Sequence, residues 1–104
     1  MEFEGGVYTV IPTFFKDGEI DIEQLTNAVN LQIISGIKNI VLLGTTSETP
    51  TLSEKEQEII VESVWNKYNG QINIIVGIGG NNTKVTLENA FKFKNMCDAF
   101  MVTV

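Results

Sequence analysis

The stretch Ile40-Val41-Leu42-Leu43-Gly44-Thr45-Thr46-Ser47-Glu48-Thr49-Pro50-Thr51-Leu52 decides the fold, because a short apolar run breaks at a glycine into two adjacent hydroxyls. Such a run reads as a buried strand, and parallel α/β proteins place their chemistry at the C-terminal ends of strands. Directly downstream, Ser53-Glu54-Lys55-Glu56 has the form of a capping box, with Ser at the N-cap and Glu at N3. It predicts a helix in which Ile60, Val61, Val64, Trp65 and Tyr68 share one face and which Gly70 stops. The stretch is therefore the turn of a strand-to-helix unit.

Outward from it, the same unit repeats. Apolar runs cover Val7 to Ile11, Asn39 to Leu43, Ile72 to Gly77 and Ala99 to Val104, a period of roughly 30 residues, the length of a βα unit. The first gap predicts a helix with Ile22, Leu25, Val29 and Ile33 on one side, Asp21 as its cap and Gly36 in the left-handed position after its end. The third predicts a helix capped by Thr83, with Leu87, Ala90, Phe91 and Lys94 on one stripe and the lysine stem covering apolar neighbours. Strict alternation of nearly continuous apolar strands with helices predicts an α/β fold with a parallel sheet and right-handed crossovers. A doubly wound nucleotide-binding sheet is disfavoured, because the turn after the first strand reads Pro12-Thr13-Phe14-Phe15-Lys16-Asp17-Gly18 rather than a glycine-rich loop.

A chain of 104 residues allows one small domain. With 43% apolar and 19% charged residues it reads as globular. The net charge of -6 and the lack of a lysine stripe argue against nucleic acid as a partner. No run approaches the ~20 apolar residues of a membrane span, and the N-terminus has no basic start, so a cytoplasmic protein, or one that has lost a targeting peptide, is expected. Cys97 is the single cysteine, which excludes an internal disulfide and reads as a small apolar residue ahead of a strand.

The run Gly44-Thr45-Thr46-Ser47-Glu48, followed after Thr49-Pro50 by Thr51-Leu52, resembles the fingerprint of the dihydrodipicolinate synthase and N-acetylneuraminate lyase family, with serine at position 47 where glycine is usual. The resemblance covers almost the whole chain. It implies the N-terminal half of a (β/α)8 TIM barrel, here four parallel strands alternating with three helices over residues 1–104. It also implies a class I aldolase-type lyase that forms a lysine Schiff base with a pyruvate-type 2-oxo acid, with no cofactor; separately, the open edges of a four-stranded parallel sheet, Val7 to Ile11 and Ala99 to Val104, predict a homodimer or larger oligomer. The pair Thr45-Thr46 favours the synthase branch, which condenses pyruvate with aspartate semialdehyde in lysine biosynthesis. By the same resemblance Thr45 belongs to a proton-relaying chain of hydroxyls, Thr46 binds the carboxylate of the 2-oxo acid, and Glu48 holds the loop. Asn81 matches a position lining the lysine effector pocket of regulated synthases, whose other members fall on Glu54 and Gln57. Pro12-Thr13 inverts the family's usual order, and a shifted first loop is expected there.

Absences narrow the chemistry further. The chain has no histidine and no arginine, so imidazole general bases, histidine-held metals and guanidinium clamps would need another segment. A Schiff-base lysine belongs at a strand's C-terminal end in a desolvated setting, and none of the seven lysines fits. Lys38 precedes a strand, Lys55, Lys67, Lys84, Lys92 and Lys94 belong to helices, and Lys16 lies in an acidic loop. The family's relay tyrosine and nucleophilic lysine are thus expected beyond Val104, with Tyr8 and Tyr68 as core aromatics. Two other classes stay open: a non-catalytic half-barrel acting as an assembly unit, and a small α/β module binding an anion at Gly77-Ile78-Gly79-Gly80-Asn81-Asn82-Thr83, where glycines precede a helix.

Overall fold

The computed structural model describes residues 8–44, 52–79 and 83–103. Its elements are β1 (Thr9–Val10), β2 (Phe15–Lys16), β3 (Glu19–Ile20), α1 (Ile22–Ile34), β4 (Asn39–Leu42), α2 (Glu54–Tyr68), β5 (Asn73–Gly79), α3 (Thr83–Phe93) and β6 (Ala99–Thr103). β1, β4, β5 and β6 form one parallel sheet in that order, and each crossover carries one helix. The expected alternation of four parallel strands with three helices is therefore what the chain builds.

Local chemistry sets the helix ends. The Asp21 carboxylate accepts from Gln24 N–H at 3.0 Å and opens α1, and Gly36 follows its end at φ 85°, a conformation that costs glycine little. At α2 the Ser53 hydroxyl accepts from Glu56 N–H at 3.1 Å while the Glu56 carboxylate accepts from Ser53 N–H at 2.9 Å. The capping box is thus complete in both directions. Gly70, at φ 84°, lies just past the end of α2. Thr83, expected as a cap, is instead the first helical residue of α3.

The pleat divides the sheet into two faces. Ile40, Leu42, Ile74, Val76 and Ile78 pack with Leu25 and Val29 of α1, Ile60, Val61 and Val64 of α2 and Phe93 of α3 in one core. Val41 and Ile75 alternate to the opposite face and are buried as well, as expected of strands in a parallel sheet covered on both sides. Tyr68 ties α2 to α1, its hydroxyl donating to the Thr26 carbonyl at 3.0 Å. Lys92 of α3 and Glu58 of α2 form a 3.1 Å ion pair, solvent-exposed and worth little by itself.

Four expectations are corrected. The turn after β1 is not an open loop: Phe15–Lys16 and Glu19–Ile20 pair antiparallel around Asp17-Gly18, both at positive φ. An Asp-Gly pair in two successive left-handed positions is what a two-residue hairpin turn requires. Tyr8 is no core aromatic, being about half exposed (48%), because it precedes β1, an edge strand of the sheet. On α3 only Ala90 of the expected stripe packs against the core, with Phe93 buried beside it, whereas Leu87 and Phe91 are 64% and 72% exposed. The stripe flanks the helix instead, and Lys94 covers it with its ammonium 4.2 Å from the Phe91 ring centre. Finally, Gly77, Ile78 and Gly79 are strand residues of β5 and not part of a loop, which removes two of the three supposed anion-binding glycines from any helix N-terminus.

Candidate active site at the C-terminal rim

The described residues reach the threonine segment from both sides, up to Gly44 and again from Leu52. On the near side, β4 ends at Leu42, and Leu43 turns to φ 55° with its side chain buried. A left-handed conformation costs a residue with a Cβ about 1–2 kcal/mol, so the surroundings must enforce it. They do so by close contact. A Cβ added at Gly77 of β5 would fall on the Leu43 carbonyl oxygen, 3.0 Å from its carbon and 3.1 Å from Gly44 Cα, and one added at Gly44 would come within 2.8 Å of Val10 Cγ1 in β1. The Leu43-Gly44 peptide is therefore wedged between β1 and β5, two strands that flank β4. The Ile11 N–H donates to the Val41 carbonyl at 2.9 Å and continues the β1 to β4 pairing up to this point.

On the far side, Leu52 is buried in the core, and the Gln57 side-chain amide donates to its carbonyl at 3.3 Å. The Ser53–Glu56 capping box follows at once. Gln57, matched by resemblance to an effector-pocket position, is thus engaged with the chain itself, and Glu54 stands exposed in the first turn of α2. Thr45, Thr46, Glu48 and Asn81 lie outside the described residues. Thr45 and Thr46 directly follow the wedged Gly44 in sequence, and Asn81 comes two residues after the end of β5.

All seven lysines fall within the described residues, and none stands at the C-terminal end of a strand of the four-stranded sheet. Lys38 precedes β4, Lys16 is in the hairpin, Lys55 and Lys67 are on α2, Lys84 and Lys92 are on α3, and Lys94 follows it. Tyr68 is buried with its hydroxyl committed to Thr26. Cys97 is half-buried ahead of β6, and burial, with the Asp98 carboxylate second, pushes its thiol up to about 11 despite a backbone hydrogen bond from Ala99. It is held as a thiol at neutral pH and is a poor nucleophile. Among the described residues no helix is long and apolar enough to cross a membrane.

Sequence reasoning missed the Leu43–Gly77 contact, although a signal existed: a glycine inside a strand pattern marks a close backbone approach. The left-handed leucine carried no signal, since nothing in a run of aliphatic residues announces where the backbone will reverse.

The geometry agrees with what known proteins show. Residues 2–104 match the sequence model of the Dihydrodipicolinate synthetase family. The 4-hydroxy-tetrahydrodipicolinate synthase of Methanococcus vannielii is 45% identical over 83 residues, which are 80% of this chain and 29% of that protein. The crystal structure of dihydrodipicolinate synthase from Thermotoga maritima superposes with a TM-score of 0.87 at 37% identity, over 93% of this chain and 33% of that one. N-acetylneuraminate lyase from Fusobacterium nucleatum shares the fold, with a TM-score of 0.81 at 18% identity. The chain thus spans about a third of the length of the barrel proteins it matches, and its four parallel strands and three helices are the N-terminal half-barrel architecture of a (β/α)8 fold. On its sequence and its fold together, the chain belongs to the dihydrodipicolinate synthetase family.

Proposed function

We propose that this chain supplies part of the active site of a class I aldolase-type lyase that condenses pyruvate with aspartate semialdehyde through a lysine Schiff base. The anchoring of the Thr45-Thr46 segment at both ends on the C-terminal rim carries this reading. A threonine hydroxyl donates one hydrogen bond while accepting another, so Thr45 passes a proton along a chain of hydroxyls without itself becoming charged. Thr46 donates to the carboxylate of the 2-oxo acid and fixes which face of the ketone meets the amine. The amine attacks the ketone carbon, water leaves, and the protonated imine acidifies the neighbouring methyl group, which gives up a proton to form an enamine; the enamine carbon then attacks the aldehyde, whose oxygen takes up a proton from the hydroxyl chain.

The nucleophilic lysine and the relay tyrosine come, in this reading, from residues after Val104 in a polypeptide of its relatives' length, acting in the cytoplasm. Asn81 lines an effector pocket for lysine in the same reading, with the Glu54 carboxylate as a candidate acceptor for its ammonium.

Incubation of the 104-residue chain with pyruvate and borohydride tests the assignment. Borohydride reduces any imine to a stable secondary amine, and no adduct is expected. A single reduced pyruvate on one lysine, lost when the protein is unfolded beforehand, would overturn it.

The alternative of a half-barrel assembly unit has its own support, the open edges of β1 and β6 and the exposed flank of Leu87 and Phe91 on α3. Unpaired edges and apolar flanks favour pairing with another chain. Two copies related by an axis along the sheet's strands would place the β1 edge of each beside the β6 edge of the other. Light scattering at low micromolar concentration should then give a homodimer or larger oligomer, and a folded monomer with a cooperative melt would sink it.

A further inference from the structure

Gly77 is a strand-interior glycine, paired with Met101 of β6 and set among Ile75, Val76 and Ile78, where a β-branched residue would serve the sheet better. Among the described residues, what demands glycine there is the Leu43-Gly44 peptide, whose carbonyl oxygen occupies the place a Cβ would take. Three independent features meet at this point: the left-handed Leu43, the bare Gly77, and Gly44 against Val10. Burial of the Leu43 side chain anchors the residue but does not choose its backbone direction, since an extended residue at a strand end buries a side chain equally well.

We propose that Gly77 and Leu43 are positioning residues: the bare backbone of Gly77 seats the Leu43 carbonyl, holds Leu43 left-handed, and so sets the direction in which the chain enters Thr45 and Thr46. This role rests on the reading of those two threonines as proton-relay and carboxylate-binding groups. A methyl at Gly77 displaces the carbonyl and rotates the Leu43-Gly44 peptide, from which the chain runs on to Thr45, while the hydrogen bonds at the opposite end of the strands stay in place. Misplacement of reacting groups by about 1 Å costs on the order of a hundredfold in rate.

The experiment has a structural and a kinetic arm. In the 104-residue chain labelled with nitrogen-15, Gly77→Ala should shift the amide resonances of Thr45 and Thr46 and leave those of Asn39 and Asn73 in place. Unmoved Thr45 and Thr46 resonances in a folded Gly77→Ala protein would overturn the proposal. Should Gly77→Ala not fold, Leu43→Gly decides instead: it leaves the seat but frees the direction, so faster amide exchange at Thr45 and Thr46 is expected, and unchanged exchange refutes the role.

In the full-length polypeptide carrying this sequence, Gly77→Ala should lower turnover by roughly tenfold to a hundredfold, and the loss should vanish in a Thr45→Val, Thr46→Val background. An equal loss in both backgrounds marks Gly77 as merely structural and overturns the proposal. Turnover unaffected by Thr45→Val would instead refute the functional reading, while the amide resonances still decide whether Gly77 positions the segment.

Discussion

The two rims of the sheet are built on opposite principles. At the N-terminal rim the Asn73 side-chain amide donates to the Asn39 side-chain Oδ1 at 2.7 Å, and Asn73 N–H donates to the Lys38 carbonyl at 2.9 Å. Asp98 closes the strand pair beside it, its carboxylate accepting from Ile74 N–H at 2.8 Å and its own N–H donating to the Ile74 carbonyl at 2.7 Å. At the C-terminal rim the backbone is instead strained at Leu43 and tolerated only by a bare Gly77. One end ties its strands together with polar side chains, and the other seats a carbonyl against a bare glycine. That division matches parallel barrels, in which the lower face reads as stability and the upper face as chemistry.

The comparison breaks most visibly if the upper rim carries no chemistry. In a full-length polypeptide, Thr45→Val should lower turnover by about 10²–10⁴-fold, the usual worth of a positioned proton-transfer group, while the melting temperature stays near that of the parent. Steady-state kinetics beside a thermal melt checks both halves, and unchanged turnover demotes Thr45 to a turn residue.

The lower rim is tested by Asp98→Ala, which strands the part-buried Ile74 N–H without its acceptor and should cost about 1–3 kcal/mol. The readout is the urea midpoint, with turnover unaffected. A loss of turnover at unchanged stability would invert the division between the rims.

A smaller effect sharpens the upper rim. Ser53→Ala removes one half of the capping box that secures the far end of the threonine segment and should lower stability by about 1 kcal/mol. Comparing its urea midpoint with that of Ser53→Thr, which retains a hydroxyl at the N-cap, isolates the hydrogen bond.

A pH dependence tests the lower rim a second time. The Cys97 thiol stands at about 11 in the folded chain against an ordinary 9.0, so the folded state favours the neutral thiol. Its contribution to stability is complete below about 9, declines as the pH rises, and is gone above about 11. Urea unfolding of the parent and of Cys97→Ala across that window should show the decline only in the parent, and slow alkylation of the native thiol near neutral pH should accompany it.

Much of this was legible because it is local. Asp21, Gly36, the Ser53–Glu56 box and Gly70 act through groups within four residues of themselves, and the structure places them as their spacing predicts. The Asp17-Gly18 hairpin was equally local and went unread, since its strands are too short to show alternation. The α3 stripe misled for a different reason. Periodicity identifies a helical face but not which neighbour it meets, and with Lys92 turned to α2 and Phe93 to the sheet, Leu87 and Phe91 are left on the flank.

By itself, then, the sequence determined the order of the four parallel strands and three helices, the caps of α1 and α2, the family and the hydroxyl pair after the second parallel strand, because these depend on spacing and on side chains near their own backbone. The tertiary structure alone decided that Leu43 turns left-handed and that Gly77 lies beneath its carbonyl. Those two residues are far apart in the chain and meet only when β4 and β5 pair in register, Leu42 opposite Val76, so no local pattern of side chains could encode the contact.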